Sequence, residues 1–123
     1  MTEELVTLET AKMLKEKGFN EPCMIAMNIE DGRQYGTNRT NSELPIKVCS
    51  HPTQSVAQKW LRETKNIHIC IYNCACGYGY EISKADNGTH MASSVYKETN
   101  DGEKWDTYEE ALEAGLQEAL KLI

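Results

Sequence analysis

The sequence contains none of the residue patterns by which enzyme active sites are usually recognised. Its 123 residues show no paired acid and base, no phosphate-binding glycine loop and no ordered catalytic triad. Such patterns bring a nucleophile, a base and a charge-stabilising group together, so their absence makes an enzyme the least expected class. We therefore predict a protein that acts without catalysis.

Long apolar segments are also missing. No apolar run approaches the ~20 residues that a membrane-spanning helix needs, so we expect no membrane contact. Residues 1–5 have neither the basic nor the apolar stretch of an export signal. We therefore expect a cytoplasmic protein whose five cysteines are reduced and form no disulfide framework.

Positive charge is scarce. The chain has 13 Lys and Arg residues against 19 Asp and Glu residues, which gives a formal net charge of -6. This balance disfavours the phosphate backbone of a nucleic acid as a partner. Glu63 interrupts the basic residues of one predicted helix, Lys59, Arg62 and Lys65, which is typical of a solvated helix face. We expect no nucleic-acid partner.

The amino-acid composition is typical of one small folded domain. Hydrophobic residues make up 40% of the chain and charged residues 26%, as in ordinary globular proteins. The sequence has no internal repeat and no linker-like segment. It therefore predicts a single domain over residues 1–123.

Two segments of the first half have the spacing of amphipathic helices. In the first, residues 8–17, Thr7 is a candidate N-cap and Gly18 is placed to take the left-handed position after the last turn. The second runs over residues 53–65, and Asn66 suits its left-handed exit.

The third predicted helix, residues 107–123, is the best specified. Thr107 and Glu110 form a capping box. Ala111, Gly115 and Ala119 are spaced by four, so this strip of small side chains permits close approach to a sheet or another helix.

The segments between the helices are typical of strands. Residues 67–76 alternate with period two, and we expect Ile67, Ile69 and Ile71 to face the core. Further strands are predicted at 23–29, 34–36, 44–48, 80–84 and 91–97. The fold prediction is α+β in the order α-β-β-(β)-α-β-β-β-α. A mostly antiparallel sheet of four or five strands would carry the three helices on one face.

The opposite side of the alternating strand holds the candidate metal ligands His68, Cys70, Cys74 and Cys76. Thiolate and imidazole groups suit zinc. Zinc sites usually use paired Cys-x-x-Cys turns, whereas alternate strand residues lie about 6–7 Å apart, so a bulge at the following glycines would be needed. Alternatively, these cysteines are small hydrophobic residues on a covered sheet face. We predict no cofactor and keep zinc as an alternative.

Tyr72, Tyr78 and Tyr80 are the predicted contact residues for a protein partner or a second copy of the chain. Tyrosine is enriched at interfaces because it combines a large rigid ring with a polar tip. The competing interpretation is that these rings are buried under a neighbouring loop.

Cys49-Ser50-His51 places a thiol and an imidazole close together in the sequence. Adjacent side chains seldom point at one another, and no third residue is evident to orient the base. We therefore predict no cysteine nucleophile here and assign no catalytic residues.

Three segments together resemble a group of small phage- and prophage-borne proteins of gut bacteria that has no assigned activity. They are ETAK to EKGF within residues 9–19, PTQS to QKWLRE within 52–63, and TYEEALEAGLQEAL from Thr107. The resemblance covers the three helices, somewhat under half of the chain. It implies an origin on a phage or mobile element and no particular site residues.

Two weaker likenesses involve the last helix. HicB-type antitoxins also place strands before a Thr-x-Glu-Glu-Ala-Leu helix, but the Pro-Asp-x-Pro-Gly turn expected before it is absent here. Double-stranded-RNA-binding domains share the α-β-β-β-α order. They carry lysines at the start of the last helix to meet phosphates, where this chain has Glu109 and Glu110.

The sequence thus favours a non-enzymatic cytoplasmic protein that binds a protein partner or itself. Two alternatives stay open. One is a small zinc- or thiol-based metal-binding module. The other is an antitoxin-like regulator or a phage inhibitor of a host enzyme.

Overall fold

The computed structural model describes residues 4–75, 77–94 and 105–123. The chain divides into two units, Met1–Ala57 and Gln58–Ile123, which we term the N-terminal and C-terminal units. Each unit contains one three-stranded antiparallel sheet. The sequence predicts one domain, and this stays a prediction.

The N-terminal unit contains a helix, α1, at Leu8–Glu16 and three short strands. The strands are β1 at Ile25–Asn28, β2 at Gln34–Gly36 and β3 at Val48–Ser50. Their order in the sheet is β2-β1-β3, so β1 is central. A 3-10 helix at Asn41–Glu43 lies in the connection between β2 and β3.

The ends of α1 follow from its sequence. The Thr7 hydroxyl accepts a hydrogen bond from the Thr10 N–H, as an N-cap residue does. At the other end Gly18 has a φ of 94°, and the Phe19 N–H donates to Leu14 O at 2.9 Å. This is the left-handed helix ending that glycine permits, and both predicted caps of α1 are confirmed.

A buried asparagine joins the helix end to the sheet in this unit. Asn41 Nδ2 donates to Phe19 O at 2.7 Å, and its Oδ1 accepts from the Ser50 N–H at 2.8 Å. Unpaired backbone groups are costly in a buried position, so one side chain here satisfies two of them.

The second helix, α2, spans Gln54–Thr64, and Asn66 follows it with a φ of 59°, as predicted. The strands of the C-terminal unit are β4 at Ile67–Cys74, β5 at Gly77–Lys84 and β6 at His90–Ser93, in the order β4-β5-β6. The last helix, α3, spans Tyr108–Lys121. None of the helices in the described ranges combines the length and apolar character that crossing a membrane requires.

Helix α3 packs on β4 and β5 through its small residues. Ala111 and Ala119 are fully buried. A Cβ at Gly115 would lie 3.0 Å from Ile69 Cγ2 and 3.3 Å from Tyr80 Cβ. The predicted close approach of this strip to a sheet is confirmed, and it lets α3 bury a stripe of three leucines, Leu112, Leu116 and Leu120.

The α+β class and the three α-helices are confirmed in the described residues. The single sheet of four or five strands is corrected to two sheets of three strands each. In each sheet the strands follow one another in the chain, and α2 separates the two sets. Alternation marks a segment as a strand but does not tell which strands pair.

The boundaries of several strands also differ from the prediction, and β5 begins at Gly77 and not at residue 80. Residues 45–48 form a turn, in which the Val48 N–H donates to Pro45 O at 3.0 Å, so β3 begins where the predicted strand 44–48 ends. The predicted strand 91–97 corresponds to β6, and residues 95–97 lie outside the described ranges.

Candidate functional site

The register between β4 and β5 separates the three predicted contact tyrosines. Directly paired residues of antiparallel strands share a face of the sheet. Tyr80 pairs with Ile71, and Tyr78, two residues away, lies on the same face. Tyr72 pairs with Gly79 and lies on the opposite face. The single contact surface predicted from the three residues is therefore corrected to two faces.

Tyr80 is a core residue of its unit. It is 2% exposed, and its ring centroid lies 5.6 Å from that of Trp105. This burial removes Tyr80 from any contact surface, which corrects its predicted role. Tyr72 and Tyr78 are half-buried, and a partner contact by either of them stays a prediction.

The candidate metal ligands follow the predicted alternation as far as the structure describes them. His68 and Cys70 share the face of β4 that Tyr72 occupies, and Cys70 is exposed. Cys74 is the last residue of β4, and Cys76 lies outside the described ranges. In the described part of the chain, no three His, Cys, Asp or Glu residues are grouped to hold a metal ion. The zinc site stays a prediction.

An apolar pocket in the N-terminal unit is a site that sequence reasoning missed. Its volume is about 290 Å³, and Met24 and Val56, which are 85% and 39% exposed, form its rim. We define it as the Met24 pocket. Its lining residues come from three parts of the chain and include no Asp, Glu, Lys or Arg: Leu5, Pro22, Cys23, Met24, Ile25, His51, Pro52, Thr53 and Val56.

Short backbone and side-chain contacts bring these three parts together. The His51 N–H donates to Ile25 O at 2.8 Å, which continues the β1–β3 pairing beyond the last residue of β3. Leu5 and Thr53 form an isolated antiparallel bridge. Thr53 Oγ1 accepts from the Val56 N–H at 3.3 Å, so Thr53 caps the first turn of α2. The pocket walls are thus fixed by the sheet and by the start of a helix.

His51 is a buried wall of the pocket with both ring nitrogens in use. Its Nε2 bonds to Val6 O, and its Nδ1 lies 3.0 Å from Gln34 Nε2. A carbonyl oxygen only accepts and an amide nitrogen only donates, so these partners assign the neutral tautomer with its proton on Nε2. The ring therefore keeps neither a lone pair nor a proton for chemistry in the pocket.

Cys23 is the thiol in the pocket lining. Burial raises the pKa of Cys23 most strongly, the Ser50 hydroxyl lowers it by less, and the Glu21 carboxylate raises it slightly. A thiol that stays protonated at neutral pH is a poor nucleophile. Both His51 ring nitrogens are already bonded, so His51 is not placed to act as a base for this thiol.

Cys49-Ser50-His51 does not form a catalytic set either. Cys49 and Ser50 are consecutive residues of β3, so their side chains point to opposite faces of the sheet. Burial raises the pKa of the Cys49 thiol, and the positive charges of Lys15 and Lys12 lower it by less. Cys49 is therefore held as a buried, protonated thiol.

Little in the sequence points to the Met24 pocket. Its lining residues are up to 51 positions apart, from Leu5 to Val56, so no spacing rule connects them. The local signals are two prolines, Pro22 shortly before β1 and Pro52 shortly after β3. A proline beside an apolar residue is too common a pattern to identify a site by itself.

Comparisons with known proteins add no relative. No protein-family model, no curated protein and no solved structure matches this chain. The function is therefore argued from the chain's own residues.

Proposed function

We propose that the chain acts by binding a protein partner at the Met24 pocket and does not act as an enzyme. The observation that carries the proposal is the 85% exposure of Met24 on the rim of an apolar pocket of about 290 Å³. Apolar surface that stays in contact with water is unfavourable, and an apolar pocket with a few polar groups in its wall is the usual form of a binding site.

The size and lining of the pocket fit one inserted side chain. Ligand pockets usually measure about 300–1,000 Å³, so this one is at the small end of the range. Protein interfaces commonly have a central anchor that fills such a pocket and buries its rim. The flexible thioether of Met24 adapts to the shape of an entering group.

The chemistry of the walls also supports binding. His51 gives both ring nitrogens to Val6 and Gln34, and burial raises the pKa of the Cys23 thiol. Neither group is prepared for proton transfer or nucleophilic attack. The resemblance to phage-borne proteins adds the expectation that the partner is a phage or host protein.

Photo-cross-linking from position 24, in cells that produce the protein, tests the proposal. A benzophenone amino acid in place of Met24 is expected to give one discrete protein adduct, identified by mass spectrometry. Val56→Asp in the same chain is expected to abolish that adduct, because its carboxylate would have to lose water when the partner enters.

Position 46 provides the matched control. Ile46 is 86% exposed, nearly the same as Met24, but it does not line the pocket. The same amino acid at position 46 should give no such adduct. An adduct common to both positions, or one from position 24 that survives Val56→Asp, would show that the pocket is not the contact site.

A further inference from the structure

The lining of the Met24 pocket favours an aromatic ring. Cys23 and Met24 contribute sulfur atoms, which make favourable contacts with aromatic rings. The described lining contains no Phe, Tyr or Trp. An engineered apolar cavity of about 150 Å³ admits benzene. The larger volume of this pocket, about 290 Å³, therefore has room for a whole phenyl group and its methylene.

The polar side chains of the lining already have hydrogen-bond partners. His51 is bonded to Val6 O and to Gln34, and Thr53 Oγ1 accepts from the Val56 N–H at 3.3 Å. A tyrosine hydroxyl or a tryptophan N–H carried into the pocket would lose its hydrogen bond to water without a replacement. The aromatic side chain that fits is therefore phenylalanine.

Acidic residues flank the pocket in two places. Glu4 directly precedes Leu5, Glu21 directly precedes Pro22, and both glutamates are exposed. The Glu21 carboxylate is near enough to Cys23 to raise the pKa of that thiol. The lining itself carries no formal charge of either sign, so Glu4 and Glu21 are the charges next to it in the chain, and they complement a positively charged partner.

The start of α2, which is close to the pocket, does not reverse this preference. The Gln54 N–H donates to Glu4 O at 2.9 Å, and the Val56 N–H donates to Thr53 Oγ1. Helix N-termini attract anions largely through free N–H groups. Two of those groups are already bonded here.

We infer that the Met24 pocket receives a phenylalanine side chain of a partner protein, flanked in the partner by Lys or Arg residues that meet Glu4 and Glu21. The inference rests on the proposed function and adds the chemistry of the partner. The buried ring supplies most of the affinity, and the charge pairs select and orient the segment.

Three short capped peptides, titrated into the full-length protein, test the inference: Gly-Lys-Phe-Lys-Gly, Gly-Glu-Phe-Glu-Gly and Gly-Lys-Ala-Lys-Gly. NMR shifts of backbone amides near the pocket, at residues 23–25 and 53–56, report binding. The Lys-Phe-Lys peptide is expected to saturate these shifts. The Glu-Phe-Glu peptide should bind about fivefold more weakly or worse, from two unfavourable charge contacts. The alanine peptide should bind about tenfold more weakly or not at all.

Three substitutions separate the ring from the charges. Val56→Asn should remove binding of the Lys-Phe-Lys peptide, and Ile46→Asn, an equally polar and uncharged change outside the pocket, should leave it intact. Glu21→Gln should weaken the Lys-Phe-Lys peptide about two- to threefold. The same variant should leave an uncharged Gly-Gly-Phe-Gly-Gly peptide unaffected.

The outcomes distinguish this inference from the proposed function. Equal binding of the Lys-Phe-Lys and Glu-Phe-Glu peptides, equal binding of the alanine peptide, or no shift near the pocket would overturn the inference. In each of these cases, a cross-linked adduct from position 24 would still support the proposed function. Phenethylamine, which is a free aromatic amine, must bind more weakly than the Lys-Phe-Lys peptide. Equal binding would identify a small-molecule site and also overturn the inference.

Discussion

The two units of the chain are stabilised in different ways. In the C-terminal unit, β4 and β5 are both 8 residues long and pair along their whole length, with α3 packed on them. In the N-terminal unit the longest strand, β1, has 4 residues. There, buried polar side chains such as Asn41 and His51 tie loops to the sheet.

This difference separates the unit that we expect to determine stability from the unit in which we propose binding. Long paired strands under a helix leave few irregular backbone groups and produce a continuous core. Short strands with long connections leave concave surface between the connections, which is where binding residues usually lie. The Met24 pocket forms at such a place, beside the ends of β1 and β3. We therefore expect substitutions in the C-terminal unit to affect folding most and those at the pocket rim to affect it least.

Gly115→Leu should produce the largest loss of stability, because it overfills the contact between α3 and the sheet. The new Cβ would lie 3.0 Å from Ile69 Cγ2, and the rest of the side chain would force α3 away. We expect the free energy of unfolding to fall by about 3 kcal/mol. Urea unfolding followed by tryptophan fluorescence measures this, since Trp60 and Trp105 both belong to the C-terminal unit.

Ala114→Leu is the matched control for that prediction. Ala114 precedes Gly115 in α3 but is half-exposed, so the larger side chain can extend into water. A change within about 0.5 kcal/mol is expected. Equal losses for the two variants would mean that the loss does not come from the close contact at Gly115.

Asn41→Ala should produce a smaller loss, in the N-terminal unit. It leaves Phe19 O and the Ser50 N–H without their hydrogen-bond partner. We expect the free energy of unfolding to fall by about 2 kcal/mol, since each unsatisfied buried group costs about 1–3 kcal/mol and water can enter the space vacated. Hydrogen exchange of the Ser50 amide should accelerate. Asn38→Ala, at an exposed asparagine of the same connection, should change neither quantity.

The sequence predicted much of the C-terminal unit because its signals are local. The alternation that places Ile67 and Ile69 in the core is a period-two pattern. The Thr107 cap, which accepts from the Glu110 N–H at 3.1 Å, and the buried Gly115 belong to one helix. Periodicity and capping depend on residues within a few positions of one another. Both can therefore be recognised in the sequence without knowledge of the tertiary contacts.

The features that the sequence did not predict correctly depend on residues that are far apart in the chain. The pairing of strands into two sheets and the separation of Tyr72 from Tyr80 both depend on register, which tertiary contacts determine. The Met24 pocket requires residues near positions 5, 23 and 52 to meet. Methionine at position 24 lies inside the predicted strand 23–29 and carries no local sign that its side chain is exposed.

The buried thiols of the N-terminal unit should make the free energy of unfolding fall as the pH rises into the alkaline range. In the unfolded chain a cysteine thiol has a pKa of about 8.5. Burial raises the pKa of the Cys49 thiol above this value in the folded protein. The buried Cys49 thiol therefore contributes its full stabilisation below the pKa of the unfolded chain. This contribution is lost as the pH rises towards the pKa of the folded protein. Between these values stability should fall by up to about 1.4 kcal/mol per pH unit. Urea unfolding from neutral pH to about 9.5, in reducing buffer, measures the slope.

Cys49→Ala should reduce that slope and leave the contribution of Cys23, whatever the effect of the substitution on stability at neutral pH. Cys70→Ala is the control, because Cys70 is exposed on β4 and loses little contact with water on folding. The same slope in the wild-type protein and in Cys49→Ala would show that the buried thiol does not contribute to it.

Substitutions at the pocket rim should have the smallest effect on the free energy of unfolding. They therefore separate binding from folding most directly. Met24 and Ile46 are 85% and 86% exposed, so replacing either with Asp should change the free energy of unfolding by no more than about 0.5 kcal/mol. Only Met24→Asp should reduce binding of the Lys-Phe-Lys peptide, because only Met24 lines the pocket. A loss of stability confined to Met24→Asp would instead assign Met24 to the fold. The exposed rim would then no longer distinguish the N-terminal unit as the binding unit.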